Sequence, residues 1–307
     1  MDEFGIIARY FAPLAGEGAF GLTDDVALLR QRPGHDLLVT TDAITEGVDF
    51  FVFDPSSSIA RKALRVNLSD LAAKGAVPAH YLLNLSLPHT VTPDWLAGFA
   101  EGLAADQSEY GVTLLGGDTG ATDGPLSIAV TAFGFVPSGK MVRRNGAQVG
   151  DDVYVTGRIG ESGGGLAIFR RENHSLSDAD RDSLIARYRV PEPPVSFAAR
   201  LRDIAHASVD ISDGLIADLG HIASASGVRI VVEGERVPLS SQLKALWSAN
   251  TLLRAVTAGD DYQIAFTAPP NLTGPFTPIG RVEAGQGVSF TVNGVEVALS
   301  CRGYRHF

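Results

Sequence analysis

The stretch from residue 35 to residue 88, HDLLVTTDAITEGVDFFVFDPSSSIARKALRVNLSDLAAKGAVPAHYLLNLSLP, decides the fold. Its first ten residues read as an apolar strand running into a polar turn, and its last nine as a strand stopped by Pro88. Between them PSSSIARKALRVNLSDLAAKGA, 55–76, predicts a long helix opened by serine caps and closed by Gly75. A second such unit follows. TPDWLAGFAEGLAADQSEYGV, 92–112, predicts a helix with Thr92 as N-cap, Pro93 at its first position and Gly111 at its end. VTLLGGDTG, 112–120, is a strand entering a glycine-rich turn, and PLSIAVTAFGFVP, 125–137, is a further strand. Upstream, Phe4, Ile7, Ala8 and Phe11 are spaced as one face of a short helix, with a loop after it. The order strand, helix, strand, helix, strand, strand predicts an α+β or mixed α/β first domain.

The polar, basic and glycine-containing run SGKMVRRNGAQVGDD, 138–152, marks a domain boundary near 137–150. Two domains are therefore expected, 1–137 and 138–307, which agrees with a 307-residue chain at about 150 residues per domain. The second reads as an α/β domain with a mixed sheet. Its strands are VYVT, SVD, VRIVVEG, AFTA, FTPIGRV and VSFTVNGVEVAL, the last with a VNGV hairpin signal. Its helices begin at ESGGGL, at DADRDSLIARY with Ser177 as cap, at FAARLRDIAHA, and at LIADLGHIASAS, which ends at Gly227.

Thirty-five acidic against 25 basic residues give a formal charge of −10, which repels a phosphate backbone and argues against nucleic-acid binding. The single cysteine, Cys301, allows neither an internal disulfide nor a cysteine-based zinc site, so a reducing, cytoplasmic setting is expected. The opening MDEFGIIARYF has no positive start or apolar core of a signal peptide, and no run approaches the roughly 20 apolar residues of a membrane span. A soluble, untargeted protein is expected.

Aspartate recurs in turns. It stands in Thr23-Asp24-Asp25, Thr40-Thr41-Asp42, Gly116-Gly117-Asp118-Thr119 and Asp210-Ile211-Ser212-Asp213-Gly214, and Asp70 lies within a mostly apolar helix. Aspartate and glycine are ordinary turn-formers, and any one site reads that way. Five together read as a magnesium site, because a carboxylate on an apolar helix either faces water or meets a cation, and hard oxygens suit that ion. GGDTG and GESGGGL leave main-chain N–H groups unobstructed, and the second leads into a helix whose positive end could hold a phosphate. Lys140, Arg143 and Arg144 serve either to neutralise nucleotide phosphates or simply to solubilise an interdomain loop. No Walker A sequence, GxGxxG fingerprint, GxSxG elbow or HExxH pair is present, which disfavours P-loop, dinucleotide, acyl-transfer and zinc chemistries. His221 reads as a packed helix residue.

Taken together, TTDAITEGVDF, VNLSDLAAKGA, LLGGDT, VTAFGFVP, RNGAQVGDDVYVTGRIGES, VDISDGLIADLGHIA, AGDDYQI and the terminal RGYRHF resemble the thiamine-monophosphate kinases, in the family's order and over nearly the whole chain. That family belongs to the superfamily of aminoimidazole ribonucleotide synthetase, whose subunits pair through their N-terminal domains. The resemblance implies a homodimer and transfer of the ATP γ-phosphoryl group to thiamine monophosphate in thiamine diphosphate biosynthesis. It implies that Asp25, Thr40, Thr41, Asp42, Asp70, Asp118, Asp210 and Asp213 surround several magnesium ions, the six acids forming the catalytic set. Gly117, Asp118, Arg144 and Ser212 match ATP contacts, and Asp49, Asp260 and Tyr304 match positions near thiamine monophosphate. Three places depart from the family's pattern. Thr23-Asp24-Asp25 stands for its usual Gly-Asp-Asp, Asp49 for a frequent His, and Ala258-Gly259-Asp260-Asp261-Tyr262 for Gly-Gly-Glu-Asp-Tyr. Asp49 and Asp260 still put negative charge near a cationic thiazolium.

Such an acceptor is already a nucleophile and needs no strong general base, so the aspartates are expected to hold metal rather than move protons. Two other readings remain at this stage. One is a different ATP-using enzyme of the superfamily, of aminoimidazole ribonucleotide synthetase or selenophosphate synthetase type, although the latter needs a reactive Cys or selenocysteine near its N-terminus. The other is a catalytically silent nucleotide- or cation-binding protein.

Overall fold

The computed structural model describes residues 3–172 and 175–304. The chain divides into two compact units, the first running to Leu71 and again over Ala76–Lys140, the second comprising Ala72–Gly75 and the chain from Met141 onward.

The first unit contains strands β1 (His35–Thr45), β2 (Val77–Pro88), β3 (Thr113–Thr122) and β4 (Ser127–Pro137), with helices α1 (Glu3–Ile6), α3 (Pro93–Tyr110) and all but the last two residues of α2 (Ser56–Ala73). The sheet order is β1-β4-β2-β3. β4 pairs antiparallel with both β1 and β2, while β3 runs parallel to β2, as a crossover through α3 requires. Alternate residues of β4, among them Ile128, Val130 and Ala132, are buried on one face. Leu71 of α2 packs there with Ala132 and Val136. The helix signals act as expected: the Thr92 hydroxyl accepts the Trp95 N–H at the start of α3, and Gly111 closes it at φ 68°. α2 and α3 are joined by Arg65, whose guanidinium makes two 2.8 Å bonds to the buried Asp106 carboxylate.

The N-terminal helix departs from the expected face. Among its described residues only Glu3–Ile6 is α-helical, and Ile7–Phe11 continues in π geometry, with the Ala12 N–H reaching the Ile7 carbonyl. The wider winding rotates the later residues, so Tyr10 and Phe11 are buried while Phe4 and Ala8 face solvent.

The second unit is a mixed seven-stranded sheet, ordered β11-β10-β7-β9-β5-β8-β6. Its strands are β5 (Asp152–Thr156), β6 (Ala207–Asp210), β7 (Arg229–Glu233), β8 (Ile264–Ala268), β9 (Phe276–Glu283), β10 (Gly287–Val292) and β11 (Val295–Glu296). Among the described residues of this sheet, only β7 and β10 pair in parallel. The VNGV signal makes the β10–β11 hairpin, with Asn293 and Gly294 both at positive φ. Helices α4 (Glu161–Phe169), α5 (Asp178–Arg189), α6 (Ala198–Ile204), α7 (Leu215–Ser226), α8 (Ser241–Trp247) and α9 (Thr251–Ala255) complete it. Leu215, Leu219 and Ile222 of α7 pack with Val209, Ile230 and Phe290. A second core holds the rings of Tyr154, Phe197, Phe266 and Phe276. The short helices α8 and α9 have no counterpart in the sequence reading.

Candidate active site

On β1, Thr40 and Asp42 are two residues apart and so share a face. The Thr40 hydroxyl donates to Asp70 Oδ2 of α2 at 2.5 Å, and the Asp42 N–H donates to Oδ1 of the buried Asn67, one turn earlier on α2, at 3.0 Å. The strand and helix thereby bring Asp42 and Asp70 together. Asp42 is exposed by area, yet the atoms around its carboxyl strip enough hydration to push its pKa up to about 6, with the charges of Asp70 and Asp49 adding to the rise. Thr41 points to the opposite face, where its hydroxyl donates to the Val130 carbonyl and accepts from Thr131. Asp49 follows in the turn after β1. Its carboxylate accepts the Thr45 N–H at 2.7 Å, and its carbonyl accepts from Lys62 Nζ at 2.7 Å.

The glycine-rich run read as a turn stays within β3, which continues to Thr122 because its main chain keeps pairing with β2: near the start of the strand a bulge opposite Tyr81 and Leu82 leads into Gly116 and Gly117. A Cβ on Gly117 would run into the Leu83 carbonyl, so only glycine lets the main chain lie this close. Gly117, Asp118, Asp24 and Asp25 line a cavity of about 510 Å3 whose other walls include Phe11 and Phe133. It thus has an acidic rim, which suits a cation, and an apolar wall.

In the second unit the Asp210–Gly214 turn organises the remaining expected residues. Its carbonyls accept three N–H groups: Asp260 to Ser212 at 2.7 Å, Tyr262 to Ile211 at 2.7 Å and Tyr304 to Asp213 at 2.9 Å. Asp210, Ser212, Asp213, Asp260 and Tyr304 are therefore neighbours. Arg144 lies in an exposed loop whose main chain is tied down where the Ser226 hydroxyl donates to its carbonyl at 2.9 Å, and the Arg143 carbonyl accepts the Ser208 N–H.

One acid here escaped the sequence reading. Asp218, buried on α7, accepts the N–H groups of Asp213 at 3.1 Å and Gly214 at 3.0 Å. Burial pushes its carboxyl up to about 7, the charges of Asp210 and Asp213 push the same way, and the two N–H groups oppose them. The signal was present, since Asp218 is an acid in an apolar helical segment, as Asp70 is. One ligand atom from each of Asp213, Asp218 and His221 lies within 4.8 Å of the others. His221 is exposed on α7, contrary to its reading as a packed residue, because it falls outside the stripe formed by Leu215, Leu219 and Ile222.

GESGGGL serves packing, and its helix end is already filled. The Asp261 carboxylate occupies the N-terminus of α4, accepting the Gly160 N–H at 2.6 Å and the Ser162 N–H at 3.4 Å. The glycines let α4 lie directly against α5: a side chain on Gly164 would meet Leu184, and one on Gly165 would meet Leu184 and Tyr188. The phosphate site expected there is thus displaced by a carboxylate of the chain itself.

Both acid groups fit a hard divalent cation. The first combines the Asp42 and Asp70 carboxylates with the Thr40 hydroxyl and the second brings together the Asp213 and Asp218 carboxylates; each contains a carboxyl raised by burial and further by its neighbours' negative charge, a repulsion that a bound cation would relieve.

The fold and the site define a class. Residues 23–136 match the AIR synthase related protein, N-terminal domain family, and residues 148–293 match the AIR synthase related protein, C-terminal domain family. Within that class, the thiamine-monophosphate kinase of Salmonella typhimurium is 39% identical over 321 residues, covering 99% of this chain and 98% of the relative. The crystal structure of thiamine-monophosphate kinase from Stenotrophomonas maltophilia K279a is 41% identical, with a TM-score of 0.83 over 90% of this chain and 91% of that one. AaThiL complexed with AMPPCP and TMP is 33% identical, with a TM-score of 0.83 over 94% and 97%. The chain belongs to the thiamine-monophosphate kinase family. Among the described residues, no helix is long and apolar enough to cross a membrane.

Proposed function

We propose that the chain transfers the γ-phosphoryl group of ATP to the phosphate of thiamine monophosphate, giving thiamine diphosphate and ADP. The observation that carries this reading is the Asp42–Asp70 pair, a cation-demanding set of oxygens in a chain that aligns end to end with thiamine-monophosphate kinases. Asp25, Thr40, Thr41, Asp42, Asp70 and Asp118 of the first unit, and Asp210 and Asp213 of the second, would hold magnesium. Thr41 would act through its main chain, since its hydroxyl is engaged on the other face. Bound magnesium ions supply neutralisation of polyphosphate charge and alignment for in-line attack.

The chain's own residues bind and orient. Gly117, Asp118, Arg144 and Ser212 contact ATP, and Asp49, Asp260 and Tyr304 contact the acceptor, where the two acids attract the cationic thiazolium. The acceptor phosphate attacks directly. No side chain forms a covalent intermediate and none removes a proton, because phosphate oxygens are already nucleophilic.

The same reading includes a homodimer formed through the first unit. Leu37 and Val39 of the edge strand β1 are 46% and 63% exposed, and Val77 at the start of β2 is 49% exposed, an apolar rim that a second copy would cover. A single cysteine and an ATP-dependent biosynthetic reaction fit the cytoplasm, and the net charge of −10 fits the absence of a nucleic-acid partner.

The test is acceptor choice. With ATP and magnesium, ADP release should be fast with thiamine monophosphate and near background with thiamine, whose hydroxyl would need a base. With γ-labelled ATP alone the protein should remain unlabelled. Stable label on the protein, or thiamine as the better acceptor, would contradict direct transfer.

A further inference from the structure

We propose that Asp261 is the positioning residue for the acceptor-side carboxylate of Asp260, acting as a peg that seats the 258–263 loop in the N-terminus of α4. This rests on the reading of Asp260 as a contact to thiamine monophosphate. Three observations carry it. First, Asp261 is buried and its two carboxylate oxygens take the Gly160 and Ser162 N–H groups, so the loop is fastened to a helix end at its centre. Second, the residues on either side of the peg, Asp260 at φ 66° and Tyr262 at φ 49°, both occupy the left-handed region. Non-glycine residues hold that conformation only where their surroundings over-determine it, and such strain collects at functional positions.

Third, the strained pair directs the carboxylate. The Tyr262 hydroxyl donates to Asp260 Oδ1 at 3.2 Å, while the N–H groups of Asp260 and Tyr262 clamp the Asp210–Gly214 turn. Asp260 lines a cavity of about 380 Å3 with Arg158, Glu161 and Gln263. Gly163 contributes by absence, since a side chain there would collide with Ala258 and lift the loop from α4. Release of the peg lets Asp260 and Tyr262 relax toward negative φ, which turns the Asp260 carboxylate away from its present direction. Asp261 touches no substrate in this account and acts through Asp260 alone.

The experiment is a double-mutant cycle on the full chain, with Asp261→Asn, Asp260→Ala and the double variant, reading KM for thiamine monophosphate, KM for ATP, kcat and calorimetric binding of thiamine monophosphate. Asp261→Asn should raise the acceptor KM and weaken acceptor binding about tenfold, leaving KM for ATP unchanged. In the Asp260→Ala background the same change should move the acceptor KM by less than about twofold. Equal losses in both backgrounds, or matched losses for ATP and acceptor, would show that Asp261 only stabilises α4 and would overturn the proposal. If Asp261→Asn does not fold, Asp261→Glu keeps the carboxyl group, shifts the peg by one methylene and is read by the same cycle. A wild-type chain that neither binds nor phosphorylates thiamine monophosphate would instead remove the reading of Asp260, and the inference with it. That failure is distinct because it shows before any substitution.

Discussion

Thr40 of β1 donates its hydroxyl hydrogen to Asp70 Oδ2 of α2 across 2.5 Å, tying an edge strand to the acid in the last turn of a mostly apolar helix. The bond aims Asp70 at Asp42 instead of leaving it to swing into solvent. Asp70→Asn keeps the shape and removes one negative charge from a repelling pair. It should leave the melting temperature unchanged or slightly higher while lowering kcat/KM about 100-fold or more, as expected when a shared ligand is lost. Thr40→Val should cost about tenfold through misorientation alone. Steady-state rates at saturating magnesium, with thermal melting as control, check both. Near-normal turnover of Asp70→Asn would remove Asp70 from the metal set.

The pair Arg65–Asp106 predicts the opposite signature, loss of stability first. Asp106 is fully buried and Arg65 nearly so, and Arg61 adds a further 2.8 Å bond to the same carboxylate. Asp106→Asn leaves a buried guanidinium short of charge compensation, so unfolding free energy should fall by about 3 kcal/mol. Urea denaturation measures it, and a change of less than about 1 kcal/mol would mean that Glu109, 2.6 Å from Arg65, carries the pair alone.

Asp261 ties stability to pH. Burial raises its carboxyl well above the ordinary carboxylate range, the charges of Glu161 and Asp260 add to this, and the N–H groups of Gly160 and Ser162 oppose it. The folded chain therefore keeps this proton at pH values where the unfolded chain has lost it. The stability contributed is complete below the unfolded value near 4 and declines as pH rises toward the folded one. Asp261→Asn should flatten that decline. Urea midpoints measured from pH 4 to pH 8 test it, and parallel curves for wild type and variant would count against the assignment.

How legible was this molecule in its sequence? The strand–helix–strand stretch from residue 35 to residue 88, the Thr92 cap, the Gly111 stop and the VNGV hairpin could be read because each rests on local chemistry that tertiary packing does not overrule. The π-wound turn at Ile7–Phe11 could not, since an apolar period alone does not reveal a change of winding. Asp42, Asp70, Asp210 and Asp213 were visible as acids in unusual places. Asp218, an acid in an apolar helical segment, carries the same signal as Asp70. Asp261 was hidden for a different reason: it is the second acid of an Asp-Asp pair, and nothing local says which of the two turns inward to cap a helix about a hundred residues earlier in the chain. Long-range caps of that kind, like the strand order of either sheet, come from tertiary packing and leave no local period.

The exposed rim of β1 predicts association. Leu37→Glu combined with Val39→Glu replaces two solvent-facing apolar residues and should leave the isolated chain's stability within about 0.5 kcal/mol. It should nevertheless turn a dimer into a monomer in sedimentation at micromolar concentration. A wild-type monomer with full activity would contradict the dimer.

The central claim, that this chain phosphorylates thiamine monophosphate, is met most directly by product analysis. The purified protein is incubated with ATP, magnesium and thiamine monophosphate, and the thiamine esters are separated by chromatography. The account predicts thiamine diphosphate and ADP in equal amounts, with product lost on adding EDTA and restored by excess magnesium. ATP left intact beside unchanged thiamine monophosphate, at protein concentrations where the fold is intact, would contradict it.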